Sequence, residues 1–257
     1  MTNKLFSYSI AVLILAISLQ SCRKNQELIE VQIPERSTFE TKKSKYTDPA
    51  AVKSKQGPFE MLGLPYKYDE IGDIATPEQM QLHYAQIHLS YANGLNSQIH
   101  NSGLEKDSIT LVVKKLEGKT VALQDKAGGY YNHNVYWNTL SKTTDSKPND
   151  VLNAAIINSF GSVSELKKQL LTAGKYHIGS GWLWLVNNNG TLSVGTTNNN
   201  EVPALNPILK GEVLFAIDLW EHAYIQKFQT DKEAYLNSCI EHLNWEYANK
   251  NFIVLPK

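Results

Sequence analysis

The segment Asp218-Leu219-Trp220-Glu221-His222-Ala223-Tyr224 sets a carboxylate and an imidazole four residues apart, where the apolar run Val213 to Leu219 ends and a helix begins. A hard anionic oxygen and a neutral ring nitrogen placed this way can converge on one metal ion. D-x-x-x-H alone is more often a solvated pair, so its surroundings must carry the argument. A second group of interest follows Thr76-Pro77-Glu78-Gln79, which reads as a helix start: Thr caps, Pro suits the first helical position, and an acid and an amide follow. In a helix running from there to about His100, His83, Ile87 and Tyr91 recur every four residues and share one face. Gly94 marks a close approach on the same helix.

The elements that must position these groups alternate in type. Asp107 to Leu116 is β-branched at Ile109, Thr110, Val112 and Val113, and propensity alone makes it a strand. A further helix carries Asn132 to Leu140. The polar stretch Ser141 to Asp150, with Lys147-Pro148, links two halves. Val151 to Ser159 and Ser162 to Ala173 are helical. Trp182 to Val186 alternates as a strand, Asn187-Asn188-Asn189-Gly190 is a turn, and Leu192 to Thr197 returns as its partner. Val213 to Leu219 is a third strand, and Asp231 to Asn249 is a last amphipathic helix. The pattern predicts an all-helical N-terminal half and an α+β C-terminal half.

The 257 residues carry 25 bases and 25 acids, with 42% apolar and 10% aromatic residues, which suits a folded body and gives no reason to expect nucleic acid as a partner. Residues 1–21 hold Lys4 as their only charge and an apolar run from Ser7 to Leu19. That run is short for a membrane span and reads as a signal-peptide core. It ends in Leu19-Gln20-Ser21-Cys22, which resembles a bacterial lipoprotein signal and implies cleavage before Cys22 and its acylation. The expectation is an exported protein, lipid-anchored to a bacterial membrane and facing periplasm or cell surface, with Cys22 as its only membrane contact. Residues 22–57 are polar and read as a tether with a reach of roughly 30–35 Å. The only other cysteine, Cys239, reads as a small buried hydrophobe.

The D-x-W-E-H-A-Y segment resembles the C-terminal signature of the iron/manganese superoxide dismutases. Leu64-Pro65-Tyr66-Lys67-Tyr68-Asp69, the run from His83 to Asn96, Gly128 to Trp137 and Gly179 to Val186 resemble further blocks of that family in order and spacing. The resemblance covers roughly Phe59 to Phe252. It implies an α+β fold: a helical hairpin domain (58–145), then an α/β domain with a small three-stranded antiparallel sheet (146–257). It also favours a helix over a strand at Asp107 to Leu116. Four metal ligands follow from it, His83, His133, Asp218 and His222, holding one manganese or iron ion per subunit with an open coordination position. The implied reaction is the dismutation of superoxide to oxygen and hydrogen peroxide. Tyr91 matches a gateway tyrosine that relays protons, and Trp182, Trp184 and Trp220 match an aromatic wall. His88, His100, His177 and His242 are left as structural or surface histidines, His88 because it stands off the His83 face.

Several positions depart from the family pattern. Ile87 and Ile225 stand where a His and a Tyr commonly pair across a dimer interface, a paired swap that can be nearly neutral. Glu221 still matches the residue that contacts a ligand histidine of the other subunit, so a homodimer, or a tetramer built from it, is expected. Gly129 stands where iron-type members often place Gln and leans towards manganese. The manganese-type amide falls near Asn199, with Asn198 and Asn200 as neighbours. Lys232 falls where an Arg steers the anion and keeps its charge without the planar fork. These departures keep a second reading open: a metal-binding lipoprotein of the same fold with little or no turnover.

Overall fold

The computed structural model describes residues 46–254. The signal, Cys22 and most of the expected tether lie outside the described residues. The tether's last stretch, residues 46–57, is held to the body instead. The Tyr46 hydroxyl donates to Glu78 (2.7 Å), the Lys55 amide donates to Asn93 Oδ1 (2.6 Å), and Asn96 Nδ2 donates to the Lys55 carbonyl (3.1 Å). Its polar composition suggested a tether, but side-chain amides on the neighbouring helix bond both main-chain groups of Lys55 and make it a strap.

That helix is interrupted. Thr76 caps α1 (Pro77–Leu82) by accepting from the Gln79 amide, a π segment (His83–His88) follows, and α2 (Leu89–Gln98) completes the rod. In the π segment the Leu89 amide reaches the Tyr84 carbonyl, five residues back. The next helix, α3 (Ile109–Lys114), starts at the Ser108 cap, whose hydroxyl accepts from Leu111. The cap settles what β-branched composition left open: this segment is a helix. The long helix α4 (Val121–Thr139) begins well before Asn132 and is capped by Thr120.

The second half contains α5 (Asp150–Phe160), α6 (Val163–Tyr176), β1 (Gly181–Asn188), β2 (Thr191–Asn198), β3 (Glu212–Asp218), α7 (Ile225–Phe228), α8 (Lys232–Glu241) and α9 (Trp245–Asn251). The sheet is antiparallel with order β2-β1-β3. Asn189 (φ 48°) and Gly190 (φ 93°) form a two-residue turn between β1 and β2, the left-handed pair that tight hairpins need. One continuous helix from Asp231 to Asn249 is not observed. The chain turns at His242, Leu243 bridges to Leu140, and Asn244 caps α9 by accepting from Tyr247. The break lets the Ser141 amide bond the His242 carbonyl and the Asn244 amide bond that of Thr139, closing the two halves together.

The core lies where α4 packs against α2 on one side and β3 on the other. Thr139 joins them: its buried hydroxyl donates to the Val135 carbonyl (3.0 Å) and accepts from the Ala216 amide (2.9 Å). Two residues on, β3 ends at Asp218. Among the described residues, no helix is long and apolar enough to cross a membrane.

Candidate metal centre

Asp218 is fully buried at the end of β3. Its main-chain carbonyl accepts from the Tyr235 hydroxyl (2.9 Å) and its Oδ1 from the Trp220 amide (2.8 Å), which aims Oδ2 inward. His83 Nε2 and His222 Nε2 each lie 3.1 Å from that oxygen, and His133 Nε2 lies 3.7 Å away. Four elements supply the donors: the π segment, α4, β3 and the 3-10 turn Glu221–Ala223. The Asp218–His222 pair therefore sits at a strand-to-turn junction rather than at a strand-to-helix one. One ligand atom from each of the four residues lies within 4.8 Å of every other.

The set fits a cation. His83 Nε2 and His133 Nε2 are buried without a hydrogen-bond partner, an arrangement that is costly unless something binds there. His133 Nδ1 lies 2.6 Å from the Gly129 carbonyl, so Nδ1 carries the proton and Nε2 is left for a ligand bond. Burial, with the charge of His222 added, pushes the His83 imidazole down to about 4 against the pull of Asp218. Burial and the neighbouring His83 likewise hold His133 well below its ordinary range. For Asp218, burial alone would raise the carboxyl. The His222 charge and its hydrogen bond, with the His83 imidazole close by, outweigh it, and the group stays ionised. Neutral imidazoles at His83 and His133 beside an ionised carboxylate are protonation states that metal binding needs.

The same shifts set a pH dependence for the metal-free protein. His83 falls from 6.5 to about 4 on folding, so between those values the unfolded chain binds more protons and stability drops as pH falls. His88, pushed down to about 3 by burial and then by His83, acts in the same direction. From His83 alone the loss should reach roughly 3 kcal/mol by pH 4. Urea midpoints of metal-free protein that stayed constant between neutral pH and pH 4 would contradict this.

Aromatic rings enclose the centre. Trp137 meets His83 edge-on (centroids 4.6 Å), Tyr136 stacks on it (5.6 Å), Trp182 meets His133 edge-on (5.0 Å) and Trp220 stacks on His222 (5.7 Å). Trp182 pairs with Asp218 across the sheet, which fixes its ring over the site. With the Asn132 amide turned to satisfy both ends, its oxygen accepts from Trp182 Nε1 at 3.1 Å. Trp184 stands one layer back, packed on Trp182 and donating to Thr197 Oγ1 (2.8 Å). His88 does not stand off the site. The π step turns it inward, where it stacks on His133 (5.2 Å, 10°) and accepts from Trp137 Nε1 at Nδ1 (3.0 Å).

Tyr91 lies beside His133, its ring centroid 5.3 Å away. The amide at its hydroxyl comes from Asn200, not Asn199: Asn200 is buried and its Nδ2 donates to Tyr91 Oη at 3.0 Å. Asn199 is exposed at φ 48° and bonds through its main chain: its carbonyl accepts from Trp220 Nε1 and its amide donates to the Ser180 carbonyl. The left-handed residue at the turn swings its side chain out and the next one in. Gly129 makes this packing possible, since a Cβ there would fall 2.3 Å from the Tyr91 ring. Ile87 is half-buried and Ile225 is 49% exposed. Glu221 and Lys232 line one surface hollow together with His222 and Tyr224. The Lys232 ammonium donates to the His177 carbonyl (2.7 Å), so its charge is held at this rim. Gln79, read in the sequence only as part of a helix start, is buried on α1 and donates to the carbonyl of His222 (3.2 Å), tying together two segments that carry candidate ligands.

Comparison with known proteins agrees with this geometry. The alpha-hairpin domain of iron/manganese superoxide dismutases matches residues 58–141, and their C-terminal domain matches residues 148–251. A protein of Coxiella burnetii named superoxide dismutase [Fe] is 34% identical over 196 residues, covering 76% of this chain and 98% of the relative. One of Buchnera aphidicola named superoxide dismutase [Mn] is 33% identical over 193 residues, covering 72% of this chain and 94% of the relative. With both domains matched and the four metal-competent side chains converging, the chain belongs to the iron/manganese superoxide dismutase family.

Proposed function

We propose that this protein is a superoxide dismutase that works with one manganese or iron ion at His83, His133, Asp218 and His222. The observation that carries this reading is the convergence of three imidazole nitrogens on Asp218 Oδ2, two of them unpaired in a buried centre. The bound ion would supply one-electron chemistry in both directions, oxidising one superoxide to oxygen and reducing a second, with two protons, to hydrogen peroxide. Asp218 contributes fixed negative charge, which favours the higher oxidation state. The aromatic rings hold the imidazoles and keep bulk water out. Tyr91, held by Asn200, is placed to pass protons at the edge of the centre. Lys232 gives the rim a positive charge for an anionic substrate.

Manganese is the favoured ion, because the amide at Tyr91 comes from the strand side and the space beside Gly129 is filled by the Tyr91 ring. A homodimer is supported by exposed Ile178 and Ile225, each next in sequence to a residue (Gly179, Tyr224) of the hollow that Glu221 lines. Protein loaded separately with manganese and with iron should consume superoxide in stopped-flow decay and sediment as two chains or four. Bound metal without consumption in either form would overturn the reading and leave a binding protein of this fold. The apolar run ending at Ser21-Cys22 supports export and a lipid anchor on Cys22. Mass spectrometry of the N-terminal peptide from cell membranes should find a diacylglyceryl-modified cysteine there.

A further inference from the structure

We propose that Asp125 is a positioning residue that sets the direction of the hydrogen bond between Asn200 and Tyr91. One Asn200 amide nitrogen serves two acceptors, Asp125 Oδ1 at 2.7 Å and Tyr91 Oη at 3.0 Å. An ionised carboxylate only accepts, so it draws the NH2 end of the amide to its side. The reversed amide would set Asn200 Oδ1 against a carboxylate oxygen. With the NH2 end fixed, Tyr91 Oη is the acceptor of this bond. The tyrosine's own proton is thereby kept off Asn200 and left free to be donated on its other side. A hydrogen bond to a charged acceptor is the stronger kind, which suits a group that must not flip.

Neighbouring residues close a ring around Tyr91. Asp125 spends its second oxygen on Lys126 Nζ (2.9 Å), and that ammonium lies 5.2 Å from the centroid of the Tyr91 ring. Gly94 leaves room for the lysine stem, since a Cβ there would come within 2.8 Å of it. Gly128 lets the turn after β2 lie directly on α4, where a Cβ would meet the Asn200 carbonyl at 2.0 Å. Asp125 is itself 39% exposed, so it acts from the rim through the buried amide and does not touch the centre.

The proposal takes from the dismutase reading only its kinetic arm. In the metal-free full-length chain, the two Asn200 side-chain amide protons should show hydrogen-bonded shifts by nuclear magnetic resonance. Asp125→Asn keeps the volume but can itself donate, so both signals should move and exchange faster. Lys126→Met leaves the carboxylate in place and should leave them near their positions. In loaded protein, Asp125→Asn should lower kcat about tenfold with KM changed less than about twofold and metal content unchanged. Unchanged Asn200 signals in Asp125→Asn, equal shifts in Lys126→Met, or moved signals with wild-type kcat would each overturn the proposal. Absence of turnover in every form would sink the dismutase reading and leave the resonance result to decide the role of Asp125.

Discussion

Asp218→Asn should give a folded protein that loses its ion on dialysis and consumes superoxide at least about a hundredfold more slowly. The substitution conserves volume in a fully buried site, and the bond from the Trp220 amide to Oδ1 can persist. The Tyr235 hydroxyl bonds the main chain and is untouched. What disappears is the one negative charge faced by three imidazole nitrogens. An NH2 group in place of Oδ2 would donate to the His83 and His222 nitrogens 3.1 Å away, engaging the lone pairs an ion needs. Removing the anion also removes the bias towards the higher oxidation state. Metal analysis after dialysis, with stopped-flow decay on the same sample, reads both effects. Full metal occupancy with turnover within about threefold of wild type would rule out this role for the carboxylate.

Tyr91→Phe separates proton supply from metal binding. The ring contact with His133 and the position under Lys126 are retained, and only the hydroxyl is lost. Metal content should stay at the wild-type level while kcat falls at least about tenfold, in the range expected for losing a positioned proton donor. The Asn200 amide keeps its bond to Asp125 but leaves one buried N–H unpaired, at a cost of about 1 kcal/mol in stability. Burial raises the Tyr91 phenol above its ordinary value, against the lowering effect of the Asn200 bond. It is therefore protonated and able to donate at neutral pH. A variant with unaltered kcat would remove Tyr91 from the reaction.

The large elements were legible because their signals are local. The Thr76 cap, the Asn189-Gly190 turn and the apolar strands each announce themselves within a few residues. The four metal-competent side chains were legible through family resemblance, since no spacing argument joins residues from such distant parts of the chain. What was missed depends on single backbone steps. A regular helix puts His88 off the His83 face, and one π step returns it. Asn199 and Asn200 are identical in type, and only the left-handed turn decides which faces Tyr91. The strap at residues 46–57 looked like tether because its partners, Asn93 and Asn96, lie on a helix some forty residues away. The break before Asn244 follows from pairing between Leu140 and Leu243, a contact no local pattern encodes.

Cys239 has a chemical consequence beyond packing. It is the one thiol among the described residues, fully buried on α8, and burial pushes its pKa far above the ordinary value. Oxidation by peroxide proceeds through the thiolate and requires access. A catalyst whose product is hydrogen peroxide bathes itself in oxidant at every turnover. Here the sulfur is kept protonated and shut away from solvent, so the body of the protein offers its own product no thiol to attack.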